Sequence, residues 1–309
     1  MNEKIIYLKY STIVCEKQSV VFSWKGVNYS LFFEQTDRNS LKCFKIIRKD
    51  NNYIDISLSS WLSLYFGEDT IDPFQRPDYR FNRLRGKFFL DENLLSRFLT
   101  LAEKIPYKSY PKWRQELFRL ALSYYMVAIR SGINLMPINL GLFALSIECL
   151  ANSHYGKRDN YFPLGSNKFN SIINARLKRY KRSLNYRDDI KKFQKYLEHE
   201  FKLLKLFRNF YYGHSSIHLH NNKVKMTKAL REWYIGSGHT KEFANTSFRV
   251  NQINNNITRD AHSLYKIGLR LNRLLFFYYI GMSREIPFAT HDFRTTGETD
   301  GNTLTRTST

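Results

Sequence analysis

Apolar and polar residues alternate with a period of two near the start of this chain and with a helical period later. Up to about residue 70 the pattern is that of half-buried strands. Ser19–Trp24 and Val27–Phe33 flank Lys25-Gly26, a two-residue hairpin signal. Leu41–Ile47 follows the polar turn 36–40, and Tyr53–Ile56 follows the turn 49–52, so a small antiparallel sheet is predicted. From about Asp69 to Arg85 the chain holds Pro73 and Pro77 and reads as irregular connecting chain, and Asp91–Ala102 reads as a helix at a junction.

Beyond Pro111 the pattern becomes helical. Candidate helices span Lys112–Arg130, Met136–His154, Lys168–Arg182, Asp188–Tyr212 and Arg259–Met282, an all-helical bundle of five. Pro137 stands at a helix start and Gly156 just past a helix end, the usual positions for these residues. Between the last two helices, 216–226 reads as a small hairpin around Asn221-Asn222. The last twenty residues hold eight threonines and read as a disordered tail. The expected organisation is a β-rich domain over 1–95, a linker over 96–109, a helical domain over 110–283 and a tail over 284–309.

One helix breaks its own pattern. Ile190, Phe193, Leu197, Phe201 and Leu204 step by three or four residues along one face, and the next step lands on Arg208. A permanent charge on an apolar stripe is costly unless it is paired or used. Gly213 is a helix stop, and beyond it comes His214. On a continuous helix two residues six apart do not share a face, so the break is what lets His214 turn back toward Arg208. Arginine holds a phosphate in a fixed fork, and histidine moves protons near neutral pH. A helix-capping arginine, its stem along the apolar face and its head in water, accounts equally well for Arg208 at this stage.

Composition adds a partner class. The 309 residues are 43 % hydrophobic and 16 % aromatic, enough for a substantial core, and the net charge is +22. Such an excess calls for a polyanion, either nucleic acid or an anionic membrane surface. From Lys157 to Arg208 there are fifteen Lys or Arg against five Asp or Glu, so the charge gathers directly ahead of Arg208 and favours a phosphate backbone. Lys202, Lys205, Tyr212 and His218 are the candidate RNA contacts. Phe210 and Tyr211 can stack on bases, although aromatics at a helix end more often pack. Glu198 and Glu200 read as solvated or paired helix charges. His214, His218 and His220 have no acidic or thiol neighbour in sequence, so no metal is expected. The three widely spaced cysteines, Cys15, Cys43 and Cys149, argue against a disulfide framework and fit a reducing compartment. The N-terminus lacks an apolar signal-peptide core, and the apolar run Leu274–Met282 is too short to span a bilayer, so a cytoplasmic protein without membrane contact is expected.

Arg208-Asn209-Phe210-Tyr211-Tyr212-Gly213-His214 resembles the signature of the HEPN superfamily: Arg, a polar residue, several residues, then His. Leu117–Tyr125 and the Glu-bearing stretch Leu142–Leu150 resemble the helices that precede that motif, and the order of elements is most similar to the ApeA-like branch of prokaryotic defence proteins. The resemblance covers about residues 110–283. It implies an α+β protein, with a small antiparallel β-rich N-terminal domain followed by an all-α HEPN-like bundle that dimerises. It further implies a metal-independent endoribonuclease of antiviral defence by abortive infection, with no cofactor. Arg208 and His214 match the catalytic pair, while Asn209 and Glu148 match supporting positions. RNA is the implied substrate, a homodimer the implied assembly, and a phage-derived trigger acting through the N-terminal domain the implied regulator. A non-catalytic nucleic-acid-binding or scaffold module on the same bundle is the alternative.

Overall fold

A computed structural model describes residues 3–8, 10–14, 19–36, 41–50, 54–67, 70–71, 84–89, 92–104, 109–131, 135–136, 138–156, 188–211, 219–236, 240–252, 255, 257 and 260–282. The predicted helix 168–182 and the tail lie outside them. The chain divides into two compact units, Met1–Pro106 and Tyr107–Arg284, and the fold class is α+β.

In the first unit the predicted hairpin is present. Strand β3 (Ser19–Trp24) pairs antiparallel with β4 (Val27–Thr36), and Lys25 and Gly26 both take positive φ, 50° and 75°, as a tight mirror-image turn requires. Strands β5 (Leu41–Arg48), β1 (Glu3–Leu8) and β6 (Thr70–Ile71) extend this into a five-stranded sheet of order β3-β4-β5-β1-β6, antiparallel throughout. A separate parallel pair joins β2 (Tyr10–Val14) to β7 (Leu84–Phe89). Along β3, Val20, Phe22 and Trp24 are buried while Val21 and Ser23 are exposed, which is the period-two pattern made physical. Phe22 stacks on its cross-strand partner Tyr29, with centroids 5.6 Å apart.

Two helices complete this unit. The sequence suggested a strand over Tyr53–Ile56. Instead Asp55 caps helix α1 (Ile56–Phe66), accepting hydrogen bonds at 2.7 Å from both the backbone N–H and the hydroxyl of Ser57. Leu58, Trp61, Leu62 and Tyr65 are then buried at helical spacing, and that burial outweighs the strand-like local pattern. Helix α2 (Glu92–Glu103) buries Leu95, Phe98, Leu99 and Ala102 and packs on β3 and α1. It therefore belongs to the first unit and occupies most of the segment read as a linker over 96–109. The Glu103 carboxylate accepts the Lys25 backbone N–H, which ties the hairpin turn to the end of α2.

The second unit is helical: α3 (Lys112–Ser131), α4 (Ile138–Tyr155), α5 (Asp188–Tyr211), α6 (Leu219–Gly236), α7 (Lys241–Ser247), a 3-10 turn Val250–Gln252 and α8 (Ala261–Tyr279). The hairpin read over 216–226 is not formed where the chain is described, because α6 begins at Leu219. Its Asn-Asn pair and its Lys-Val-Lys-Met alternation mimic a turn and a strand. Read on to residue 233, however, Met226, Ala229, Leu230 and Trp233 fall on one helical face, and all four are buried.

Helix α4 is the centre of this unit and touches α3, α5 and α8. It buries residues on nearly every side, as a helix surrounded by others must. Ser146 and Ser153 donate at 2.7 Å to the Ala121 and Arg114 carbonyls of α3. Arg114 in turn donates at 2.6 Å to the Ser153 and His154 carbonyls, closing the end of α4. Against α8 the approach is tight at Gly268, where a Cβ would fall inside the contact distance of the Phe143 ring. Asn272 secures the crossing by donating to the Phe143 carbonyl at 3.1 Å.

Two substitutions test these supports. Gly268→Ala forces the α4–α8 crossing apart and is expected to cost about 1–3 kcal/mol in urea unfolding, with partial recovery when Phe143→Leu is added. Asp55→Ala is expected to cost about 1–2 kcal/mol. Burial opposes ionisation of Asp55, but bonds from Lys25, Ser57 and Trp24 outweigh it and hold the carboxyl well below the usual carboxylate range. The contribution of Asp55 is therefore full above its unfolded-state value near 3.8 and falls away as the pH drops below it. Wild type and Asp55→Ala should accordingly converge in stability on acidification.

Candidate functional site

Helix α5 carries the site residues in its last turns. Of the expected apolar stripe, Phe201 and Leu204 are buried, the side chains of Ile190, Phe193 and Leu197 lie outside the described part, and buried Phe207 and Phe210 carry the apolar line to the helix end. Leu203 lies beside the stripe and is also buried. Arg208 stands half-buried in this final stretch. Its charge is answered from within the same chain. Arg208 Nε lies 3.0 Å from Glu148 Oε2, and Nη2 donates to Glu148 Oε1 at 3.0 Å, the two-pronged geometry that suits a guanidinium on a carboxylate. Nη1 donates to Asn209 Oδ1 at 2.9 Å. Three of the five guanidinium N–H groups are thus engaged by Glu148 and Asn209, and two have no bond among the described residues.

Glu148 comes from the middle of α4 and its side chain is 9 % exposed. Burial pushes its carboxyl upward, while the Arg208 charge and bonds, and more weakly Lys205, pull it back down; burial wins. The neighbouring Cys149 thiol is pushed up to about 11 by burial and by the Glu148 charge, against the pull of Arg208, so it stays protonated at neutral pH. Tyr124 of α3 is raised by burial, then by Cys149 and Glu148. Neither Tyr124 nor Cys149 stood out as a site neighbour in the sequence. Tyr124 sits in an ordinary aromatic helix and Cys149 is a lone thiol beside the Glu.

Arg208, Asn209 and Glu148, singled out separately in the sequence, are therefore brought together. His214, Tyr212 and His218 lie outside the described residues. Lys205 is exposed on α5. Lys202, a candidate RNA contact, pairs with Glu232 of α6 at 3.2 Å, and His199 Nδ1 lies 3.6 Å from the same carboxylate. Glu198 is exposed, whereas Glu200 is fully buried and paired with Arg270 of α8. Phe210 is buried, as a packing residue rather than an exposed stacking platform. His220 belongs to α6 and not to a strand alternating with His218. Among the described residues no three His, Cys, Asp or Glu side chains are grouped to hold a metal ion, and no helix is long and apolar enough to cross a membrane.

Chemically, the arrangement is a rigid cation. The clamp from Glu148 holds the guanidinium in one orientation, with two N–H groups left over for a further acceptor. No protein-family model, curated protein or solved structure matches this chain.

The clamp is testable by a double-mutant cycle. Glu148→Ala leaves the guanidinium half-buried and unpaired, and Arg208→Ala leaves a buried carboxyl, each at an expected cost of about 3 kcal/mol. The double variant should cost less than the sum, with a coupling of about 1–3 kcal/mol in chemical denaturation.

Proposed function

We propose that this protein is a metal-independent endoribonuclease of the HEPN type, acting in antiviral defence by abortive infection, with Arg208 and His214 as its catalytic pair. The observation that carries the proposal is the two-pronged Glu148–Arg208 clamp in the last turn of α5, six residues ahead of His214. A purely capping arginine has no need of a buried carboxylate that fixes its plane. A phosphate-binding arginine benefits from one, because an orientation set in advance costs nothing at the moment of reaction.

RNA supplies its own nucleophile, the 2′-OH. Its attack on the adjacent phosphorus forms a 2′,3′-cyclic phosphate and breaks the bond to the 5′-oxygen. One histidine takes the proton from the 2′-OH and another gives a proton to the departing oxygen. Arg208 stabilises the doubly charged phosphorane between these steps. A single motif provides one Arg–His pair. A symmetric homodimer provides two, so base and acid come from different copies. Asn209, bonded to Arg208, and Glu148 act as positioning residues. The first unit is the place for a phage-derived trigger to act.

A second reading follows from the same clamp. With three N–H groups engaged within the chain, Arg208 also serves as a plain structural crosslink, and the bundle is then a non-catalytic RNA-binding or scaffold module.

Expression in cells separates the two readings. The nuclease predicts that wild type, in the presence of its trigger, degrades RNA and arrests growth, and that Arg208→Ala and His214→Ala each abolish both effects at unchanged protein level. Cleavage by the purified protein should persist in EDTA. RNA binding that survives His214→Ala, with no cleavage by any variant, would establish the module instead.

A further inference from the structure

Helix α6 was not foreseen from the sequence, and it changes the electrostatics of the site. It carries Lys223, Lys225, Lys228 and Arg231 against a single acid, Glu232. The charges are not equivalent. Arg231 donates through Nε to the Phe248 carbonyl at 2.9 Å and so holds the segment after α7. Glu232 is taken by Lys202 and His199. Glu200, the buried acid of α5, is taken by Arg270. Lys225 and Lys228 are exposed, and among the described residues neither has a carboxylate partner. Three residues apart, they share one face of α6 with Asn221 and with Val224, which is 43 % exposed.

The Lys202–Glu232 pair also fixes the register of the two helices. Helix α5 ends at Tyr211, α6 begins at Leu219, and the two pack together, so they run antiparallel. A step of about 1.5 Å up one helix matches an equal step down the other. Counting from the 202–232 level, Lys205 comes level with about Ala229, and Arg208 with about Met226. Lys225 and Lys228 therefore flank the level of Arg208 and Lys205, and no acid on the facing turns offsets them.

We propose that the exposed face of α6 bearing Lys225 and Lys228, together with Lys205 of α5, is a track for the phosphate backbone of single-stranded RNA leading to Arg208. The inference rests on the ribonuclease reading for its substrate and adds the contacts that hold the strand beside the site. Unpaired, solvent-exposed lysines in a row bind a polyanion by releasing its counterions and carry no base sequence information.

The test is the salt dependence of binding. Full-length protein carrying His214→Ala is titrated with a fluorescein-labelled single-stranded RNA of mixed sequence, and log K is followed against log[KCl]. Each lost phosphate contact lowers the slope by about 0.7 for a single strand, so Lys225→Gln with Lys228→Gln should lower it by about 1.4. Lys241→Gln, an exposed lysine at the start of α7, serves as the control and should leave the slope in place. Lys228→Glu should weaken binding more than Lys228→Gln, and the melting transition of these surface variants should match the parent. An unchanged slope in the double variant, an equal drop in the control, or binding to phosphatidylserine vesicles with none to RNA would overturn the track. Cleavage by the otherwise unaltered chain is scored in parallel. Cleavage with an unchanged slope removes the track and leaves the ribonuclease standing. A lowered slope without cleavage by any variant leaves the track and removes the ribonuclease.

Discussion

A half-buried guanidinium held at the end of an apolar stripe is costly unless it is paired, and Glu148 pairs Arg208. That requirement links the parts of the second unit. Glu148 projects from the middle of α4, so α4 must lie against α5 with one rotation about its axis. The same helix is held on its other sides by the Ser146 and Ser153 bonds to α3 and by the close passage of Phe143 over Gly268 in α8. Helix α5 has a second charged anchor eight residues earlier, where buried Glu200 meets Arg270 of α8. The two anchors face different neighbours, and a rotation of α5 that satisfied one alone would break the other.

Rigidity of this kind is what a phosphate-binding arginine needs. A free arginine spends side-chain entropy each time it orders on a ligand, whereas one clamped through Nε and Nη2 has already lost that freedom on folding. The cost is a buried carboxylate whose proton affinity is raised, together with a neighbouring thiol pushed out of reactive range. Cys149 therefore holds its proton more tightly than a free thiol does.

The sequence was most legible where one local rule acted alone. Lys25-Gly26 between two alternating runs gave the hairpin, because a two-residue turn with positive φ matches the twist of the strands it joins. Four of the helices appear within a few residues of their expected spans, since long amphipathic periods and end signals agree there. It was least legible where tertiary burial overrode local pattern. Asp55 looked like part of a strand until Ser57 and the buried run beyond it made a capped helix. Helix α6 hid behind an Asn-Asn pair and four alternating residues. At the site, the stripe marks Arg208 as an anomaly, and Glu148 stands out as an acid in an apolar helix. Their bond joins residues sixty positions apart in the chain, a separation that no local period encodes.

The central claim is that Arg208, oriented by Glu148, stabilises the phosphorane formed when a 2′-OH attacks its own phosphate. The most direct measurement uses purified protein, activated where a trigger is required, on an RNA of defined sequence and on the same RNA with a single 2′-deoxy substitution at the mapped cleavage position. The account predicts a 2′,3′-cyclic phosphate and a 5′-OH from the first, and no cut at the substituted position in the second. Cleavage of the deoxy-substituted position at a similar rate, or a product bearing a 5′-phosphate, would contradict it.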